Sequence, residues 1–193
     1  MKKIITLVVF LLIGYGNCIA QDDTLEKAKS GNIHAGANIG FPVSTASDLS
    51  SFNFGFDVAY LFEIIDNLNI GGLLGYTHFV GDGSYTYLDS SSTTFRRNYK
   101  DASFLPIAAS ARYYFAEQRF FGGVDLGVAV NTSGDAKTGF YFRPKFGFDL
   151  GMIALIASFQ SISGGVDYGD YNGSTYVSGS GFNSFNFGVE FGF

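Results

Sequence analysis

The sequence contains no tryptophan, one cysteine, three prolines and two histidines among its 193 residues. The cysteine, Cys18, lies in the N-terminal stretch MKKIITLVVFLLIGYGNCIA. That stretch has the layout of a secretory signal. Lys2 and Lys3 precede an apolar run over 4–13, and Cys18-Ile19-Ala20 forms a small-x-small cleavage site. Residues 1–20 are therefore read as a signal peptide cleaved after Ala20. Residues 21–31 form a short leader, and 32–193 form one domain. The apolar run falls well short of the roughly 20 residues of a spanning helix. Tyr15-Gly16-Asn17 is a poor approach to a lipid-modified cysteine, so a lipoprotein is set aside. Cleavage removes the only cysteine, which excludes disulfides and thiol chemistry from the mature chain. It also leaves 10 basic against 17 acidic residues, with no basic tract for nucleic acid. No long apolar run remains, which excludes helical membrane spans.

What the sequence does have is 22 phenylalanines, 12 tyrosines and 26 glycines. The aromatic residues alternate with small ones, as in the final FNFGVEFGF. Eight segments show this period of two, the period of a strand. They are 32–42, 52–64, 67–80, 101–115, 119–131, 139–150, 152–161 and 182–193. One face of each is bulky and apolar: Phe54, Phe56, Val58, Tyr60 and Phe62 in the second, Phe185, Phe187, Val189, Phe191 and Phe193 in the last. The other face is small and charged. It carries Gly36, Gly55, Gly75, Gly123, Gly147 and Gly188 together with Asp57, Glu63, Arg112, Asp125, Arg143, Lys145, Asp149 and Glu190. Bulk outside and small or charged residues inside is the inverse of a soluble sandwich, and suits a barrel in lipid. Longer and shorter connections alternate along the chain, with the longest at 81–100 and 163–181. A soluble lipocalin-like barrel would not need that alternation.

The signal peptide, the eight alternating strands and the aromatic last strand ending in Phe193 resemble the small outer-membrane β-barrel family of the OmpX, OmpA-barrel and OmpW kind. The likeness covers about residues 32–193 and is one of pattern. It implies an all-β, eight-stranded, antiparallel up-and-down transmembrane barrel in the outer membrane of a Gram-negative-type bacterium, with both termini periplasmic. It implies that Phe191 and Phe193 belong to a C-terminal signal read by the barrel-assembly machinery. A monomer is expected, with a structural or surface-contact role through loops 81–100 and 163–181. The alternative is a narrow pore, or the conduit for small hydrophobic molecules that OmpW resemblance implies.

An eight-stranded barrel is just wide enough for side chains to fill, so its inward charges must pair. The eight inward charged residues are read as an ion-pair network that plugs the lumen. A symmetric hairpin around 132–138 sets Asp125 opposite Lys145, and Arg112 is expected within reach of Asp149. Arg96, Arg97 and Lys100 are candidates to face lipopolysaccharide phosphates. The basic 81–100 loop and the acidic 163–181 loop are expected to dock on each other. Both loops are rich in tyrosine, which suits adaptable binding surfaces.

Enzymatic signals are weak. His34 faces the lumen, where a hydrogen-bonding role is expected. His78 lies at the outer interface near Asp82 and Ser84. No loop serine has a histidine beside it in sequence, and no His-x-Ser pair of the lipid A deacylase type occurs. Asp167, Asp170 and Asn172 faintly resemble a calcium loop but lack its glutamate and flanking helices. Phosphate-loop and dinucleotide fingerprints are absent, and Gly81-Asp82-Gly83 reads as a turn. The chain is read as non-enzymatic, with no metal and no cofactor.

Overall fold

The period-two pattern becomes eight long strands that close on themselves. A computed structural model describes residues 31–88, 94–98, 100–168, 177–179 and 181–193. The signal peptide and nearly all of the leader lie outside these residues. The barrel strands are β1 (Asn32–Val43), β2 (Ser50–Ile65), β3 (Leu68–Gly81), β6 (Ala102–Phe115), β7 (Phe120–Ser133), β8 (Gly139–Asp149), β9 (Ile153–Ile162) and β12 (Phe182–Gly192). Each pairs antiparallel with its neighbours in chain order, and β12 pairs back with β1. The closing register runs from His34 opposite Gly192 to Val43 opposite Asn183. Phe193 N–H then donates to the Ile33 carbonyl at 2.8 Å. FNFGVEFGF is thus the strand that removes the sheet's free edge, which lipid could not hydrate. At about 3.3 Å per residue and a tilt near 45°, an 11-residue strand rises roughly 25 Å, the height of a barrel's apolar band.

The two ends differ. At the turn end, tight connections at 66–67, 116–119 and 150–152 sit beside both ends of the barrel sheet. Asn67, Ala116, Glu117 and Gln118 are left-handed there, with φ of 66°, 51°, 57° and 65°. At the loop end, the two segments expected as loops are partly paired. β4 (Ser84–Leu88) pairs with β5 (Thr94–Asn98), and β10 (Val166–Tyr168) pairs with β11 (Val177–Gly179). The β1–β2 connection contains a 3-10 turn, Ser44–Ala46, and folds inward so that Ala46 and Leu49 are buried.

Alternation sorts the residues as an inverted protein. Phe187 on the outward face is 58% exposed, whereas Arg112 on the inward face is 1% exposed. Ile39, Phe41, Phe56, Val58, Tyr60, Phe140 and Phe185 are exposed in the same way. The inward face differs from expectation in one respect: it is not only small and charged. Phe79, Phe104 and Phe182 point inward near the loop end and pack together, with centroids 5.0–6.1 Å apart. Leu61, Phe121, Tyr141 and Ile162 are also buried inside. Glycine makes room for these rings. A Cβ on Gly147 would lie 2.1 Å from the Phe121 ring.

Candidate functional site

The lumen is built in layers that follow from where each strand places its inward residues. The Phe79, Phe104 and Phe182 rings close the loop-end part, under Ala46 and Leu49. Buried amides come next. Asn53 Nδ2 donates to Asn186 Oδ1 at 2.7 Å, and Asn186 Nδ2 donates to Ser184 Oγ at 3.0 Å. Such groups need partners because each buried unpaired polar group costs about 1–3 kcal/mol.

Two ion-pair clusters fill the rest. In the first, Arg143 bridges β2 and β7: its Nη1 lies 2.8 Å from Asp57 Oδ2, and its Nε 2.8 Å from Asp125 Oδ2. Lys145 Nζ holds the other Asp125 oxygen at 2.7 Å and reaches Ser110 Oγ at 3.3 Å. In the second, Arg112 grips Glu190 with two nitrogens, Nη2 to Oε2 being 2.7 Å. His34 Nδ1 lies 3.0 Å from Glu190 Oε1. The Arg112 guanidinium also lies over the Phe121 ring, 5.0 Å from its centroid. Charge-assisted, bidentate pairs are the strong form of such contacts.

Two expected pairings are corrected. Arg112 meets Glu190, not Asp149. Asp149 is the last residue of β8, and its carboxylate accepts from Gly151 N–H at 2.6 Å in the following turn. Glu63 likewise serves a turn, accepting from Asn67 N–H at 3.0 Å. Asp125 stands opposite Arg143 in the ladder, and Lys145 stands opposite Gly123. The hairpin is offset by two residues from the symmetric register, with Ala129 standing opposite Gly139. Lys145 still reaches Asp125 diagonally. With Glu63 and Asp149 at the mouth, the buried network holds Arg112, Arg143 and Lys145 against Asp57, Asp125 and Glu190. It is balanced in charge, three cations against three carboxylates.

Little space remains among the described residues of the ion-pair layers. Cavities of about 20 and 10 Å³ lie beside Asp57 and Arg143, room for single waters. At the turn end a vestibule of about 350 Å³ opens, lined by His34, Glu63, Asn69, Tyr114 and Asp149.

The loop-end candidates divide. Lys100 is exposed, and its ammonium lies 3.2 Å from Asp135 in the β7–β8 connection. Arg96 and Arg97 lie on β5, but their side chains are outside the described residues. So are Asp170 and Asn172, and the mutual docking of the two loops falls there too. Phe191 and Phe193 are exposed on the outward face at the turn end.

One cluster was missed in the sequence. His78 was expected beside Asp82 and Ser84. Its Nδ1 instead lies 2.8 Å from Ser103 Oγ, and its Nε2 3.6 Å from Asp101 Oδ2. Tyr76 O–H donates to Ser103 Oγ at 3.1 Å. All four sit on the outward face near the loop end, where β3 and β6 pair His78 with Ser103. The available signal was antiparallel pairing of 67–80 with 101–115, which sets these residues side by side.

No protein-family model matches the sequence, and no curated protein matches it. The fold is similar to several solved structures. Neisserial surface protein A is 17% identical over 87% of this chain and all of its own, with a TM-score of 0.48. The outer membrane protein Ail of Yersinia pestis is 13% identical over 83% of this chain and 99% of its own, at 0.43. The outer membrane protein AlkL is 16% identical over 90% of this chain and 95% of its own, also at 0.43. These are small eight-stranded outer-membrane barrels, as this chain is an eight-stranded barrel.

Proposed function

We propose that this chain is a plugged outer-membrane barrel, which strengthens the membrane and meets its surroundings through its loop end. One observation carries the reading: an apolar outward belt encloses a lumen filled by rings and charge-balanced ion pairs. A pore needs a wet path, and the described lumen offers single-water cavities. The pore reading therefore draws no support from the described residues. In this proposal the loop end faces outward and both termini face the periplasm, since outer-membrane barrels keep short turns on the periplasmic side. Phe191 and Phe193 present the assembly signal to the barrel-assembly machinery. Arg96, Arg97 and Lys100 meet lipopolysaccharide phosphates beside the headgroups, and the barrel works as a monomer.

The test is to replace residues 84–98 with a short turn. The barrel should refold, and membrane permeability should stay unchanged. Binding to vesicles containing lipopolysaccharide should fall at least several-fold. Unchanged binding would overturn the loop-end role.

A further inference from the structure

The outward face of the barrel is apolar almost throughout, so a polar cluster on it needs a reason. Tyr76 and His78 point outward because their neighbours Thr77 and Phe79 are buried inside. Ser103 points outward because Phe104 is buried inside. The column on β3 climbs from Leu74 through Tyr76 to His78, and Asp101 lies beyond it, exposed. On the outer-membrane reading the cluster lies toward the headgroup border at the loop end.

Its geometry is that of an activated serine. A serine nucleophile needs a base in hydrogen-bond reach and a third group that orients the base. Here Ser103 Oγ is 2.8 Å from His78 Nδ1. With the proton on Nε2, Nδ1 is free to accept from the serine, and Nε2–H faces Asp101 Oδ2 at 3.6 Å. Such contacts are often long before substrate binds. Asp101 is itself fixed, since its other oxygen accepts from Gly81 N–H at 2.9 Å. The His78 ring is held against Phe54, with centroids 5.1 Å apart. The β6–β7 ladder shifts register between Ser103 and Phe104, an irregularity that often re-aims a side chain beside a reactive site. Asn131 and Thr132 side chains bond the Ser103 carbonyl at 3.4 and 3.2 Å and steady that bulge.

We propose that Ser103 and His78, positioned by Asp101, form an acyl-ester hydrolase site for lipids of the outer leaflet. Ser103 Oγ bonds the acyl carbon while its proton moves to His78 Nδ1. The ester C–O bond breaks, and His78 returns the proton to the leaving alkoxide. Water then repeats the two steps and releases the fatty acid. Tyr76 O–H now occupies the approach to Ser103 Oγ, and Ser103 is 3% exposed. An entering ester carbonyl takes over that hydroxyl as its hydrogen-bond donor, which opens the serine and supports the developing oxyanion. Acyl chains lie along the apolar wall below Tyr76, so the ester arrives at the level of the serine.

The substrate class rests on the outer-membrane reading; the nucleophile does not. The test keeps them apart. The full mature chain is refolded in detergent micelles and treated with a fluorophosphonate, which labels activated serines. Folding is followed separately by heat-modifiable electrophoretic mobility. The native chain should be labelled at Ser103, and Ser103→Ala should abolish the label. His78→Gln should slow labelling at least about 100-fold, the scale of a lost general base. With a p-nitrophenyl ester in lipid vesicles, Asp101→Asn should lower kcat about tenfold and leave KM unchanged, with kcat referred to the folded fraction read from the mobility assay so that loss of fold is not counted. A folded native chain with no label above the Ser103→Ala background would overturn the site. Labelling unaffected by His78→Gln would overturn it equally.

Discussion

The lumen network and the His78 cluster both join polar side chains, but in opposite surroundings. Inside, Arg112, Arg143 and Lys145 are each matched by a carboxylate, and the six residues are buried. Outside, His78, Ser103 and Tyr76 are joined by hydrogen bonds, and the cluster's one carboxylate, Asp101, stands exposed. A charge in the lumen has no water to turn to, so removing its partner leaves an uncompensated charge. A group at the membrane border loses a partner and finds water. Similar distances therefore carry different energies. The lumen contacts specify the barrel, and the outer ones join side chains at small cost to the fold.

The comparison is tested most sharply at Asp125, which serves both Arg143 and Lys145. Asp125→Ala should destabilise the barrel by about 3–5 kcal/mol, the cost of breaking a buried pair. Urea unfolding in lipid vesicles, followed by circular dichroism, measures it. The paired change Arg112→Met with Glu190→Leu should cost less than Arg112→Met alone, by more than about 1 kcal/mol, because no buried carboxylate is then stranded. His34 loses its Glu190 contact in the pair, which sets the residual cost. At the outer cluster, Ser103→Ala should change stability by about 1 kcal/mol or less in the same assay. A Ser103 effect as large as that of Asp125 would erase the distinction between the two regions.

The sequence made the strands legible because period-two alternation survives wherever one face is bulky and the other small. It is clear through Phe185, Phe187, Val189, Phe191 and Phe193. It blurs where both faces are apolar, as at Phe79-Val80, Phe104-Leu105 and Phe120-Phe121. The inward rings fell there, and so the aromatic closure of the lumen was not foreseen. The inward charges were recognisable by parity, but their partners were not. Arg112 and Glu190 are 78 residues apart on strands that share no ladder. Their meeting depends on tilt and shear, which no local pattern encodes. Neighbour register was nearly readable: Asp125 missed its opposite residue by two positions, and parity kept it facing Lys145. The His78 cluster lies across one ladder, yet its members on the two strands are 23–27 residues apart in sequence, beyond a search for adjacent bases.

The central claim is that paired charges and rings close this lumen to water and ions. Single-channel conductance of the refolded chain in a planar bilayer tests it directly, with Lys145→Ala measured alongside. The account predicts a silent native protein. Steady conductance that Lys145→Ala alters would contradict it, because ions would then be passing the network that is said to plug the barrel.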